Sequence, residues 1–472
     1  MLALLIVLAL GLVISGMVAI TAVEGGPLFI AALLVLAPAA IVFFRYPFVA
    51  VMLWLLIFPF VARDVTGFQA TVYRVVHLAM IPITLWLVLV KSWAQTRNRP
   101  VVRFGLPEYV MLLSLLWTVA NIYLFGDQPL RLIMHMYDRV FVPYCMYWLV
   151  RLIAPTPEDL RRLLPVAFFT LIVQATIGIL SWFAPSVLPV QWQAVSMEER
   201  VVGTFKNPAV YTSTLLFLSM LIFQFGMNSK ALWLRAIAIF AISVAFLCTL
   251  ISFSRGSWLG GTLVGIGLTM LYPRVFIRLG AVGVVSLVIL GATVLNHEAA
   301  FALERLDDEN TAGGRLLSGV KSLGMIDSRP VFGWGYGNFD KYDEQFRVQV
   351  GEMENLVERT SHNTYMTLMA EQGIPALVLY LLPAFLWLLQ SLAVWQRLPR
   401  RGFWSVTLLA MLWLLLLDHF TVSNFMDMIR FNYFGTTIWW IALALIATMV
   451  APYTPAGRPA VLSANLANLA NR

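Results

Sequence analysis

Three short patterns carry side chains suited to meeting a negatively charged group and moving a proton. In Ser252-Phe-Ser-Arg-Gly-Ser-Trp258, Arg255 stands between two apolar stretches. An arginine so close to hydrocarbon costs free energy unless it snorkels to water or meets an anion, so the pattern fits an interfacial residue or an anion site. Arg315, in Ala312-Gly-Gly-Arg-Leu-Leu-Ser318, follows two glycines at the expected start of a helix. Backbone N–H groups there, with a guanidinium, suit a phosphate; a solvated surface arginine is the plain alternative. His362, in Ser361-His-Asn-Thr-Tyr365, falls where a polar stretch gives way to an apolar one. Ser361 is a candidate N-cap that would put His362 in the first turn of a helix at a membrane surface. Histidine, with an ordinary pKa of about 6.5, can accept a proton near neutrality, although a lone histidine is more often structural.

Other candidates lead away from metals and nucleotides. His77 and His419 lie in or near apolar windows and read as core residues, while His135 and His297 read as loop residues. None has zinc-ligand spacing. Outward carboxylates two apart could share a hard cation, but Glu352-Met-Glu354 is the nearest approach and reads as a solvated acidic face. Gly333, Gly335 and Gly337 lack the preceding strand that a dinucleotide loop requires. No metal and no cofactor is expected. Cys145 and Cys248 sit inside apolar windows and read as buried packing.

The elements that must position these residues are membrane helices. Of 472 residues, 60% are hydrophobic and 12% charged, about half the charged share of a soluble domain, which excludes a water-soluble fold. A spanning helix needs about 20 mostly apolar residues. Windows of low charge fall at 2–22, 27–44, 47–62, 75–90, 107–125, 139–154, 163–183, 211–227, 232–252, 257–273, 276–295, 374–395, 403–421 and 431–450. Several are short, so the expected fold is all-α and polytopic, with about 12 and up to 14 spans. The first window has no basic flank and reads as a span, not a cleaved leader.

Lys and Arg gather on one side: seventeen cations against three carboxylates give +14 there and −6 opposite, together the chain's +8. The basic side is expected to be cytoplasmic, which makes pI 9.6 a topology signal and not a nucleic-acid signal. Residues 1–295 are then transmembrane, 296–373 a large outward loop, 374–450 the last spans and 451–472 a cytoplasmic tail. The loop should fold as a small helical cap, with helices at Glu298–Leu306 and Gly314–Met325 and a glycine-punctuated turn at Phe332–Asn338. The stretches 127–138, 184–210, 253–256 and 418–430 also face outward, and Arg63, Arg74, Arg131, Arg139, Lys206 and Arg430 also lie near that side.

Taken in order, Gly203-Thr-Phe-Lys-Asn-Pro208, Ser252-Phe-Ser-Arg-Gly256, Gly314-Arg315, Pro330-Val-Phe-Gly-Trp-Gly-Tyr-Gly-Asn-Phe339 and His362-Asn-Thr-Tyr-Met-Thr-Leu-Met-Ala-Glu-Gln-Gly373 resemble the bacterial O-antigen ligase and polymerase superfamily. That resemblance implies a membrane-embedded, type C glycosyltransferase of the bacterial inner membrane, working on the periplasmic side. Its donor would be a glycan on undecaprenyl diphosphate, and in the ligase branch its acceptor would be lipid A–core, as in lipopolysaccharide biosynthesis. Position by position, the family's two arginines and its histidine fall on Arg255, Arg315 and His362. Arg255 and Arg315 would then meet the diphosphate and His362 would take the acceptor proton, with inversion and without a metal. Gly373-Ile-Pro375 departs from the family's pattern, in which a second glycine is usual.

Three rivals stand beside the ligase. A polymerase would use the same donor, and a protein glycosyltransferase of this superfamily would usually carry more chain after the last span. A transporter of lipid-linked glycans would place ionisable residues near the bilayer midplane and show repeated halves. Here the charges sit at span ends and one loop dominates.

Overall fold

The computed structural model describes residues 41–61, 72–94, 104–194, 200–205, 207–293, 295–307, 309–346, 361–431 and 433–453. Among them there are helices and turns but no strand, and nine helices are long and apolar enough to cross a membrane. The chain is an all-α polytopic membrane protein. In order run α1 (Phe48–Val61), a π-helical turn Arg74–Ala79 leading into α2 (Met80–Ala94), and α3 (Leu106–Phe125). Then come α4 (Pro129–Met136), a second π-turn Tyr137–Phe141, α5 (Val142–Ile153), α6 (Pro157–Phe183), α7 (Pro208–Met227) and α8 (Leu232–Leu250). After α9 (Arg255–Leu271) and α10 (Pro273–Thr293), the long connection holds α11 (Asn296–Asp307), α12 (Glu309–Ser328) and the short α13 (Phe339–Tyr342). The chain then returns through α14 (Thr364–Val394), α15 (Val406–Ser423), the short α16 (Met428–Phe431) and α17 (Tyr433–Val450).

Every apolar window from 47–62 onward becomes a helix, while 2–22 and most of 27–44 lie outside the described residues. Local chemistry fixes the starts. Asn207 caps α7 by accepting from the N–H groups of Ala209 and Val210, with Pro208 in the first turn where no N–H is needed. Thr156 and Asp159 form a reciprocal capping box on α6.

α7 and α17 are the buried centre of the bundle. Around them α3 packs on α14, α5 on α17, and α9 on α15. Small residues permit the last pairing: a Cβ on Gly260 of α9 would stand 2.2 Å from Oδ1 of Asp418 on α15. A buried network ties α3, α5 and α14 at the end away from the long connection. There Trp387 donates to the Tyr147 hydroxyl (2.8 Å), which donates to Glu108 (2.8 Å), with Arg151 3.6 Å from the same carboxylate.

Several boundaries differ from expectation. α11 and α12 exceed the two short helices anticipated, and the helix expected to follow Ser361 begins at Thr364 as α14 and continues into the span that follows. Asp418 to Ser423 belong to α15 and not to a loop; Asp418 and His419 are buried. His135 and His297 are helical, in α4 and α11, and not in loops.

Candidate active site

The long connection, the turns before α4 and α9, and the segment after α15 gather at one end of the bundle, here termed the loop face. Arg255 is the first residue of α9, with Ser254 as N-cap. The turn before it is held in an unusual backbone state: Phe253 has φ +49°, a left-handed conformation that costs a non-glycine residue about 1–3 kcal/mol. Aromatic packing offsets that cost. The Phe253 ring lies 4.5 Å from Trp182 of α6 and 5.0 Å from Phe301 of α11, while Trp182 donates to Glu298. Arg255 is thus set by a clamp joining three elements.

His362 is also left-handed, with φ +50°. Contrary to expectation, Ser361 is not the cap of the helix that follows. Asn363 is, its side chain accepting from the N–H groups of Tyr365 (2.9 Å) and Met366 (3.1 Å). Both residue types cap well, and Ser361 is recruited instead to brace the turn by accepting from Asn363 N–H at 3.1 Å. His362 therefore precedes α14 and is partly exposed on the loop face.

One segment joins the two. Phe425 packs on Gly256, next to Arg255, where a Cβ would lie 3.2 Å from the Phe425 Cβ. Two residues after His362, Thr364 donates from its N–H (3.2 Å) and hydroxyl (2.8 Å) to the carbonyl of Met426, and its hydroxyl accepts from Met428 N–H (2.8 Å). Residues 424–428 thus bridge Arg255 to His362.

Arg315 is placed differently from expectation. α12 starts at Glu309, so Gly313 and Gly314 are inside the helix and Arg315 lies well past its first turn. The free N–H groups at the start of α12 therefore lie before it, and what Arg315 offers an anion is its guanidinium. It lies about 15 Å along the axis from Met325 and Ile326, which pack with Ala370 of α14.

A sharp break in α14 anchors the glycine-rich turn. Gly373 has φ 81° and ψ 171° within the span, leaving carbonyls without helical partners. Those of Ala370 and Glu371 accept from Trp334 N–H (2.9 Å) and Gly335 N–H (2.8 Å), and that of Gln372 accepts from the Trp117 indole (3.0 Å). Ile374 N–H in turn donates to Pro330 at 2.8 Å. Pro375 then falls in the first turn of the renewed helix, where a missing N–H costs nothing, which accounts for its tolerance there. Asn121 of α3 clasps the same turn, donating to the Phe332 carbonyl (2.6 Å) and accepting from Tyr336 N–H (2.7 Å). The Glu371 carboxylate accepts from Phe339 N–H, Arg430 pairs with Asp340, and Lys341 pairs with Asp127.

Residues 215–381 match the family model described as O-Antigen ligase. The chain carries an O-antigen ligase superfamily domain. That stretch runs from α7 through the break in α14 and holds Arg255, Arg315, the glycine-rich turn and His362. No curated protein matches the chain at significant similarity. Neither Asn121 nor Trp117, which bind the glycine-rich turn and the broken α14, is among the candidates above, although a lone asparagine within the apolar window 107–125 is a usable signal. Among the other cations expected near this face, Arg63 and Lys206 lie outside the described residues, as does Glu352-Met-Glu354.

His77 and His419 are accounted for by packing. His77 accepts at Nδ1 from the Trp54 indole (3.0 Å), which leaves Nε2 to carry the proton and face Asp138 at 3.2 Å. His419 is buried and stacks on Trp439. Among the described residues no three His, Cys, Asp or Glu side chains are grouped to hold a metal, and both cysteines are free and buried.

Proposed function

We propose that this protein is an O-antigen ligase, which moves a glycan from undecaprenyl diphosphate to lipid A–core at the periplasmic side of the bacterial inner membrane. The observation that carries the reading is the bridge of residues 424–428, which ties a helix-first arginine, Arg255, to a histidine, His362, inside a superfamily domain.

In the proposed reaction an acceptor hydroxyl attacks the anomeric carbon as the bond to the diphosphate oxygen breaks. The proton passes to His362, and undecaprenyl diphosphate leaves with the bonding electrons. Its growing negative charge is met by Arg255 at the positive end of α9 and by the guanidinium of Arg315. A single displacement inverts the anomeric centre. The two guanidinium charges are the groups that meet the leaving diphosphate, and the step as proposed calls on no metal.

Purified protein with chelator, an undecaprenyl-diphosphate glycan and lipid A–core tests the reading, with parallel reactions lacking core lipid or carrying His362→Ala. Glycan on lipid A–core from the unmodified protein alone supports the ligase and the role of His362. Lengthening of the undecaprenyl-linked chain without core lipid would make the enzyme a polymerase. No covalent product, with glycan lipid crossing vesicle membranes, would replace the enzyme by a transporter.

A further inference from the structure

α12 carries Arg315, and its packing decides which way that residue faces. Arg315 is followed at three- and four-residue steps by Ser318, Ser322 and Met325, all buried, while Leu316, Val320 and Leu323 on the other side are exposed. Arg315 therefore continues the face that α12 turns toward α14 and the 3₁₀ turn Asp343–Phe346. Contacts at the far end fix the relative direction of the two helices. Met325 and Ile326 pack with Ala370, and Pro330, just past the end of α12, accepts from Ile374 N–H at 2.8 Å, so α12 and α14 run side by side in the same sense. Arg315 stands ten residues before Met325, about 15 Å back along α12; Thr364 stands six before Ala370, about 9 Å back along α14, with His362 two residues further. Parallel packing thus brings Arg315 to the level of His362.

Between these two ends α12 is held by a buried ion pair. Lys321 Nζ lies 2.6 Å from Asp343 Oδ2, with side chains 2% and 3% exposed, and 5.8 Å from the centre of the Phe339 ring. The other carboxylate oxygen of Asp343 has no hydrogen-bond partner among the described residues, so Lys321 is the group that compensates its burial. One turn further along α12, a Cβ on Gly324 would stand 3.1 Å from the Phe346 ring. Asp343 lies four residues after Phe339, whose N–H donates to the Glu371 carboxylate of α14 at 3.2 Å, so the pair ties α12 to a segment itself bound to α14. An apolar pair of the same volume would hold these elements together about as firmly, but an ammonium and a carboxylate select one geometry, and with it one rotation of the helix. We propose that Lys321 and Asp343 are positioning residues for the reaction, an ion pair that fixes the rotation and height of α12 on α14 and so aims Arg315 at the level of His362. The proposal rests on the reading of Arg315 as a group that meets the leaving diphosphate.

Phenylglyoxal modification of Arg315, followed by mass spectrometry in the detergent-purified full chain with the exposed Arg401 as internal reference, reports the setting of the guanidinium without turnover. Donor kinetics are measured alongside. Lys321→Met combined with Asp343→Leu removes both charges and nearly keeps the volume, whereas Lys321→Arg keeps the pair. The double variant is expected to elute monodisperse and to melt no lower than the unmodified protein, since it leaves no lone charge buried. It should nevertheless change the Arg315 ratio by about threefold or more and lower kcat/KM for the donor by about ten- to a hundredfold, while Lys321→Arg stays near the unmodified protein in both. A folded double variant with an unchanged ratio or with full transfer overturns the proposal, as does a loss in Lys321→Arg as large as in the double variant. A double variant that fails to fold overturns it too, because the charges would then hold the fold and not a rotation. Should the unmodified protein transfer no glycan, the ligase reading fails, while the modification ratios still decide whether the pair governs Arg315.

Discussion

His362 and Arg255 reach the loop face by opposite routes, one at the end of a polar connection and one at the start of a helix, and both follow a strained or braced turn. Replacing His362 by Ala is expected to lower glycan transfer by about 10²- to 10⁴-fold, the usual worth of a general base, as measured by product on lipid A–core. Arg255→Lys keeps the charge but loses the planar fork, and should recover only part of the loss seen in Arg255→Ala under the same assay. A separate residue-scale expectation concerns His135, which is half-buried in α4 and whose pKa is lowered from 6.5 first by burial and then by Arg139 and Arg131. The unfolded chain therefore takes up a proton that the folded chain refuses, so stability falls as pH drops below about 6.5 towards the native value. Thermal unfolding in detergent should show a steeper acid loss for the unmodified protein than for His135→Gln. At this scale the sequence names candidate residues, while their settings follow from backbone geometry that residue types do not report. Ser361 and Asn363 are equally good caps on paper, and only the bracing hydrogen bond of Ser361 decides between them.

Helices were easier to foresee than their interruptions, because an apolar window reports burial in hydrocarbon and says little about a single residue's backbone angles. The break at Gly373 falls between the polar pair Glu371-Gln372 and the apolar window 374–395, and its logic becomes visible only when the glycine-rich turn is laid beside it. There is no room for a larger residue. A Cβ on Gly373 would stand 2.0 Å from the carbonyl oxygen of Val331, and one on Gly333 would stand 2.4 Å from the main chain of Glu371. Gly373→Ala and Gly333→Ala should each abolish or severely reduce the yield of folded protein, judged by monodisperse elution in detergent. Gly402→Ala is the control, since it combines positive φ with open space and should be far milder. For Arg315 the reverse error occurred: two glycines read as a helix start because glycine weakens a helix, yet α12 passes through them.

At the scale of the whole molecule, the alternation of spans puts Arg255, His362 and the cap around α11 and α12 at one end and Arg151 with Glu108 at the other. If the first end is periplasmic, Leu316→Cys, exposed on α12, should react with a membrane-impermeant maleimide in intact spheroplasts. Arg401→Cys, exposed at the opposite end, should react only after lysis. The native cysteines are buried and should stay silent. Reversed labelling would invert the orientation read from the basic residues and take the proposed site to the cytoplasm.

The clasp between the glycine-rich turn and the broken α14 has a dynamic counterpart. Main-chain amides of an exposed surface loop ordinarily trade their hydrogens for deuterium quickly, whereas those of Trp334, Gly335, Tyr336 and Ile374 are each engaged with a helix of the bundle or with the turn opposite. These four amides should exchange on the slow timescale of the membrane core, so that a stretch of the extramembrane cap opens only when the bundle itself does. Asn121→Leu, which removes two of the clasp's bonds from a neighbouring helix, should release them together.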